Sequence, residues 1–554
     1  MMRVGFVLGV IGVGAAGLGA TACSSAASAI DSSDDAVVGE PSYVGKAVLA
    51  KLEATHPKTK GRAWNVSRDN SFSGDFTDQI PTKQSWGQKD LSVGTLCKEG
   101  DAGCDPDFLL TTCTSDADCT GRAHCTTLKA TVAHRGDSPR SLCAGDADAI
   151  LDTVWSGIAL ARHTVDVSSL TPPNGRFEAA VRNAVTYVSE SESPPRVRML
   201  FGDYPGAFTS ATKTLASLAR DVAPASGLVM SVGTYRAGVT SWNHSKIISR
   251  DGEYAVMGGA NMWDSHYLRK NPVHDIWITE NGSAAADAAR YLDELWVYTC
   301  GSSNLVNMKD VASRGIEGCQ KPFAAEQAAV AHGTGNVPVI SVGRLGSLGE
   351  EPSDDAILAM IDSAKTSIRM TQQDLGPVRR AGVPLGTWPE ATIQALVRAM
   401  ARGVKVSLVL SNTGAVPGDM NAIEATFNTY DNGWTPVDVL REFEKIARTQ
   451  VKVANASALL CDSFTLMRLR SSDGETWQDG GTLANHAKVV VVDDRAFYLG
   501  SQNLYVANLA EFGAIVDDPK ATKLFLANYM DIVEQYSKRT AVSGSGGGSC
   551  SLNL

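Results

Sequence analysis

The chain has no run of basic residues anywhere in its 554, and its formal charge is −10. A nucleic-acid backbone is therefore not the expected main partner, because such a partner is met by clustered Lys and Arg. Long apolar runs are also missing. The most apolar stretch, Val4 to Ala20 behind Arg3, is too short and too Gly-rich for a membrane span, and it reads as an export signal. Histidine is scarce, with nine in all, so a histidine that recurs in a fixed context carries weight. The length allows two to four domains.

Ala20-Thr21-Ala22 fits ordinary signal cleavage, whereas Cys23-Ser24-Ser25 resembles the start of a bacterial lipoprotein, with Ala20 standing where Leu is usual. Either reading exports the protein from a bacterial cell, as an extracellular chain or one lipid-anchored to the envelope through Cys23. There are eleven cysteines. Lipid on Cys23 leaves an even number for disulfides in an oxidising compartment; simple cleavage leaves one thiol over. A zinc reading of the Cys-dense part is weaker, since His124 and His134 do not stand at zinc-ligand spacing from the cysteines.

Asn485 to Asn503 reads NHAKVVVVDDRAFYLGSQN, and Asn243 to Asn261 reads NHSKIISRDGEYAVMGGAN. His244, Lys246, Asp251, Gly258, Gly259 and Asn261 correspond, interval for interval, to His486, Lys488, Asp493, Gly500, Ser501 and Asn503. Two full copies of His-x-Lys-x4-Asp-x6-Gly-(Gly/Ser)-x-Asn do not arise by chance in a histidine-poor chain. Ile247-Ile248 and Val489 to Val492 read as buried strand. Residues two apart on a strand face one side, so each copy projects an imidazole and an ammonium into one place. Asp251-Gly252 and Asp493-Asp494 read as hairpin turns leading to a second strand. That strand ends in the small pair, which lets backbone approach an anion, and the following Asn offers an amide. Asp251 and Asp493 are expected to hold the turn and take no part in chemistry.

Residues 1–22 are read as the signal and 23–96 as a leader and N-terminal segment, with a short helix from Tyr43 to Ala54. Residues 97–145 hold six cysteines and read as a disulfide-stapled insert, a stabilising knob in preference to the alternative of a recognition module. Ile150 to Pro172 matches Ile357 to Pro377 in character, a helix then a strand. A second helix and strand follow around Phe177 to Phe201 and Ala391 to Leu410. The expected class is α/β, with two similar lobes at 146–322 and 350–541. Each is a mixed sheet flanked by helices, joined through 323–349, with His244 and His486 at the lobe interface. Residues 542–554 form a Gly/Ser-rich tail tied by Cys550.

The duplicated motif is the signature of the phospholipase D superfamily. SerTrpAsnHisSerLys at 241–246, GlyGlyAlaAsn at 258–261, TyrLeuAspGluLeuTrp at 291–296, GlySerGlnAsnLeuTyr at 500–505 and GluPheGlyAlaIleVal at 511–516 resemble the secreted phospholipases D of actinomycetes. The similarity runs from about Trp86 to Val542, interrupted by the insert. It implies a ping-pong reaction: His244 attacks phosphorus, His486 serves as general acid and base, and Lys246, Lys488, Asn261 and Asn503 bind the phosphate oxygens. It implies Asp275 and Glu511 as carboxylates that orient the histidines, Glu511 standing where Asp is usual. It implies disulfides Cys97/Cys104 and Cys300/Cys319. Two ammonium and two amide groups already facing the phosphate supply the charge stabilisation that a metal would, so no cofactor and no catalytic metal are expected.

Trp242, Trp263 and Tyr267 match aromatic positions near the family's headgroup pocket, and Ile393 replaces a tyrosine that helps hold choline. Loss of that aromatic face narrows the expected preference for phosphatidylcholine. His56, His124, His134, His163, His266, His274 and His332 lack a repeated context and read as surface or structural. The leading expectation is a monomeric phospholipase D with a phospholipid substrate at a membrane or micelle surface and water or alcohol as acceptor. The alternatives are another phosphodiesterase of the superfamily, acting on nucleic acid or cardiolipin-type lipid, and a non-catalytic lipid-binding protein.

Overall fold

Strand Lys488–Val492 is buried along its whole length, and the alternation of its side chains shows why. Val489 and Val491 enter a core shared by both halves of the chain, while Val490 and Val492 enter the core under the second half's helices. Ile247 and Ile248 divide likewise between the shared core and that of the first half. A strand apolar at every position suits a sheet covered on both faces. Each such side chain contributes ~1.5–3 kcal/mol by burial.

This computed structural model describes residues 40–542 apart from internal stretches, the longest being 79–92, 308–332, 376–387 and 416–434. The signal, Cys23, the family-similar start at Trp86, Cys319 and the tail with Cys550 lie outside the described residues. Sixteen strands among the described residues form one sheet, one of them the short Thr77–Asp78 beside Ile276–Asn281. Its first half runs Leu305–Asn307, Val229–Tyr235, Arg196–Gly202, Thr164–Ser169, Ile247–Arg250, Tyr254–Gly258 and Ile276–Asn281. Its second half runs Ala510–Val516, Ala496–Gly500, Lys488–Val492, Ser367–Gln372, Lys405–Leu410 and Phe464–Arg468. Each half has a parallel trio against which the motif hairpin lies antiparallel.

Two antiparallel strands, Trp64–Phe72 and Val337–Leu345, join the halves edge to edge. The expected boundaries shift accordingly. The stretch 323–349 is more than a connection, because Val337–Leu345 is a central strand, and the segment 23–96 supplies its partner. A connecting strand read alone lacks the repeated pattern that marked the two lobes. The early helix is present as Tyr43–Thr55, capped by the Ser42 side chain.

The motif aspartates do hold turns. Asp251 and Gly252 have φ of 53° and 65°, and Asp493 and Asp494 have 54° and 53°, the left-handed pair of a tight hairpin. The Asp251 carboxylate accepts the backbone N–H groups of Arg162, His163 and Thr164 at 2.8–2.9 Å. Asp493 accepts those of Lys365, Thr366 and Ser367 at 2.7–2.8 Å, with the Tyr43 hydroxyl also donating to it. Each carboxylate thus fastens its hairpin to the start of the adjoining strand of the parallel trio.

The insert carries disulfides Cys97–Cys104, Cys113–Cys125 and Cys119–Cys143. It packs onto the first half: Trp155 Nε1 donates to the Val132 carbonyl at 2.8 Å and Asn183 Nδ2 to that of Ala130 at 2.9 Å. Cys300 and Cys461 are also disulfide-bonded. Bonded cysteines of this number fit an oxidising compartment. Among the described residues, no helix is long and apolar enough to cross a membrane.

Candidate active site

The two histidines meet where the halves face each other. Each precedes its motif strand, and the Asn before it acts as a strap. Asn243 Nδ2 donates to Ser168 Oγ at 3.0 Å and the Ser169 carbonyl at 2.9 Å, while its Oδ1 accepts the Ser245 N–H at 3.2 Å. Asn485 repeats this with Thr371 Oγ1 at 2.9 Å, the Gln372 carbonyl at 3.0 Å and the Ala487 N–H at 3.2 Å. Sequence reasoning set the motif's start at His and passed over these two residues, although Asn precedes His in both copies.

The carboxylates cross between the halves. The His244 N–H donates to the Ala510 carbonyl at 2.8 Å, and the next residue, Glu511, reaches His244 Nδ1 at 3.2 Å through Oε2. The His486 N–H donates to the His274 carbonyl at 2.8 Å, and the next residue, Asp275, lies 2.6 Å from His486 Nδ1. Each half therefore holds the other's imidazole by one backbone and one side-chain contact. The ring centroids are 6.4 Å apart. With Nδ1 of each ring set against a carboxylate, Nε2 is the atom that each ring brings to chemistry.

Lys246 Nζ donates to the His244 carbonyl at 2.6 Å. Lys488 Nζ donates to the His486 carbonyl and lies 3.5 Å from Gln373 Oε1, a contact without a counterpart at Lys246 among the described residues. Asn261 and Asn503, the amides at the end of each motif, are both buried.

The small residues serve the carboxylates. A Cβ on Gly259 would collide with the carboxylate of Asp275, and Ser501 Oγ donates to Glu511 Oε2 at 2.8 Å. A Cβ on Gly258 would meet the Ile276 carbonyl, and one on Gly500 would meet the Tyr498 hydroxyl. Close packing of the site's own wall keeps these positions small.

Burial sets the electrostatics, and the two histidine–carboxylate pairs differ. Burial and then Lys246 push His244 down to about 4, so it is neutral at neutral pH. Burial pushes Glu511 upward, but His244, Arg344 and Lys246 together outweigh it and hold the carboxylate below its usual range. On the other side, burial pushes Asp275 up to about 7 against the pull of Lys488, and burial with both lysines lowers His486 well below its usual value. Burial also lowers Lys488 to about 7 and Lys246 well below its ordinary value, against the carboxylates. A phosphodiester anion between the lysines would favour their charged forms.

Two pocket assignments change. Tyr267 is buried, with its hydroxyl 3.1 Å from Asp275 Oδ2 and 3.3 Å from His486 Nδ1, so it supports a histidine and offers no ring face to a headgroup. Ile393 is wholly buried among the aliphatic residues under helix Glu390–Ala401. It forms no pocket wall, and the headgroup argument built on it falls. Helical periodicity marks position 393 as core, on the inward face of the helix with Leu396 and Val397. Trp242 and Trp263 are half-buried: Trp242 lies 6.0 Å from the Tyr204 ring, and Trp263 Nε1 donates to Thr171 Oγ1. His274 is structural, as expected, bonded to Asn485 Oδ1 at 3.0 Å. The one metal-spaced group among the described residues, Cys113, Cys119 and Cys143, is tied up in disulfides.

Two imidazole–ammonium pairs facing one another across a duplicated α/β fold define a phosphodiesterase of the two-motif class. The chain is 33% identical over 466 residues to "Phospholipase D" of Streptomyces antibioticus, covering 73% of this chain and 81% of that protein. It belongs to the phospholipase D family. A family profile described as "Cardiolipin synthase, PLD-like domain" matches residues 357–532. Among solved structures, phosphatidylserine synthase of Haemophilus influenzae aligns with a TM-score of 0.48 at 16% identity, over 70% of this chain and 84% of that one. Nuc of Salmonella typhimurium, a phospholipase D family member, aligns at 0.20 and 22%, over 37% and 96%.

Proposed function

We propose that the protein is an exported phospholipase D that hydrolyses glycerophospholipids to phosphatidic acid and the headgroup alcohol, and transfers the phosphatidyl group to other alcohols. The observation that carries this reading is the crossed geometry of the site, two imidazoles with ring centroids 6.4 Å apart and each backed at Nδ1 by a carboxylate from the other half; the inequality of the two pairs assigns the roles. His244, neutral and backed by an ionised Glu511, is suited to nucleophilic attack. Asp275, pushed up to about 7, lets the Asp275–His486 pair hold a proton near neutral pH, as a general acid requires.

Nε2 of His244 attacks phosphorus and the bond from phosphorus to the headgroup oxygen breaks, with His486 Nε2–H protonating the leaving oxygen. Water or an alcohol then gives its proton to His486 and attacks phosphorus. The N–P bond breaks and its electron pair returns to His244. Lys246, Lys488, Asn261 and Asn503 stabilise charge on the non-bridging oxygens, the part a divalent metal would otherwise take. The family profile's description favours one variant, in which a lipid alcohol is the natural acceptor.

The test is a phospholipid panel with ethanol present. Phosphatidylethanol and phosphatidic acid should form together, both unaffected by chelator, and protein from phosphorus-labelled substrate, quenched in denaturant at alkaline pH where an N–P bond survives, should yield a labelled peptide containing His244. Label on His486 reverses the roles; full loss in chelator restored by one divalent ion overturns the metal-free reading. Lipidation of Cys23 is tested by mass spectrometry of the mature N-terminus, where free signal cleavage leaves an unmodified thiol.

A further inference from the structure

We propose that an aromatic rim at one edge of the first-half sheet, centred on Phe208, seats the enzyme on a phospholipid bilayer; this rests on the phospholipase reading above. Phe208 is 73% exposed, the most exposed of the large apolar side chains among the described residues. It lies in the segment that follows Arg196–Gly202. Arg236, directly after Val229–Tyr235, sets its guanidinium 5.8 Å from the Phe208 ring centroid, with the Asp203 carboxylate 4.0 Å from Arg236. Arg236 pairs through its backbone with Trp242, whose ring lies 6.0 Å from that of Tyr204.

The sheet register shows that this edge is the reactive one. Strands Thr164–Ser169, Arg196–Gly202 and Val229–Tyr235 are parallel, so Tyr204, Phe208 and Arg236 all lie beyond their carboxyl ends. The motif strand runs the other way and starts there, with Ile247 opposite Ser168. Trp242 is two residues from His244. A phosphate held at a lipid–water interface reaches His244 only when this edge faces that interface.

The side chains are graded to suit such a surface. Phe208 has no polar atom and suits the acyl boundary. Tyr204 and Trp242 have apolar bodies with a polar tip and suit the headgroup layer, and Arg236 brings a cation to the level of the phosphates. The net charge of −10 offers no general attraction to an anionic leaflet, so apolar insertion has to supply the hold. One protruding phenyl ring with polar neighbours is far short of the area a stable protein dimer needs.

The experiment uses the full chain and phosphatidylcholine vesicles, with binding measured by co-sedimentation in a His244→Ala background so that lipid is not consumed. Phe208→Ser should weaken vesicle binding by about ten-fold, from the burial value of a Phe side chain, and Phe208→Leu should restore most of it. In the otherwise unmodified enzyme, Phe208→Ser should slow turnover of vesicles to a similar degree. Turnover of short-chain phosphatidylcholine below its micelle concentration should stay within about two-fold. Unchanged vesicle binding overturns the proposal, as does an equal loss on monomeric substrate, or a Phe208-dependent dimer in sedimentation. If the parent turns over neither substrate while vesicle binding still depends on Phe208, the catalytic reading fails and the docking surface stands.

Discussion

Glu511→Gln separates the catalytic use of the crossed carboxylates from their structural use. Glutamine keeps the shape and removes the charge. In the native site Glu511 is wholly buried, 3.2 Å from His244 Nδ1, and accepts a hydrogen bond from Ser501 Oγ at 2.8 Å. When His244 takes up phosphorus its ring becomes cationic, and Glu511 is the carboxylate in contact with it. Losing one partner of a buried charged pair costs about 3–5 kcal/mol, and each ~1.4 kcal/mol is ten-fold in rate. Formation of the phosphoenzyme should therefore slow by roughly 10²–10⁴-fold. Rapid-quench measurement with a chromogenic phosphodiester would follow the burst of the leaving alcohol. Ser501→Ala, which removes the second contact to Glu511 and the side-chain acceptor of the Phe512 N–H at 3.1 Å, should change the burst by less than about ten-fold. A Glu511→Gln enzyme that melts like the parent and keeps its burst rate within about three-fold would refute catalytic use of the carboxylate, since so small a change falls far below the cost of a lost buried charge partner.

Tyr267→Phe should lower kcat by about five- to thirty-fold with KM little changed, and move the acid limb of the kcat–pH profile, because the lost hydroxyl touches Asp275 and His486; a change in headgroup KM alone would restore the pocket-wall role. Asp493→Ala leaves three backbone N–H groups without their acceptor, so calorimetry should find a stability loss of about 2–4 kcal/mol, and a loss near zero would contradict the stapling role. Glu280 is buried with neither carboxyl oxygen partnered among the described residues, and burial and Asp287 push it up to about 8. The unfolded chain ionises it near pH 4.5, so its penalty is absent below about pH 4.5, grows as pH rises and levels off above about 8. Glu280→Gln should thus stabilise the protein by about 3 kcal/mol at about pH 7 and hardly at all at about pH 4.5; equal effects at both pH values would refute this.

His-x-Lys spacing, the valine run and the turn aspartates were legible from the sequence because each rests on local geometry. A period of two puts His and Lys together, an all-apolar strand needs cover on both faces, and an Asp in a left-handed turn finds the N–H groups next to it. Duplication made the signal doubly visible, and with it the two-lobed α/β plan.

What the sequence did not carry was long-range. Glu511 serves the histidine 267 residues away and Asp275 the one 211 residues away, and neither pairing follows from spacing. Trp64–Phe72 and Val337–Leu345 close the two half-sheets into one, and no local pattern marks two strands that pair with each other and take one further partner from each half. Tyr267 and Ile393 show the same limit from the side of recognition. One turned its hydroxyl to a buried carboxylate and the other its whole side chain into the helix-side core, because the packing around each, and not its place along the chain, decides what a side chain touches.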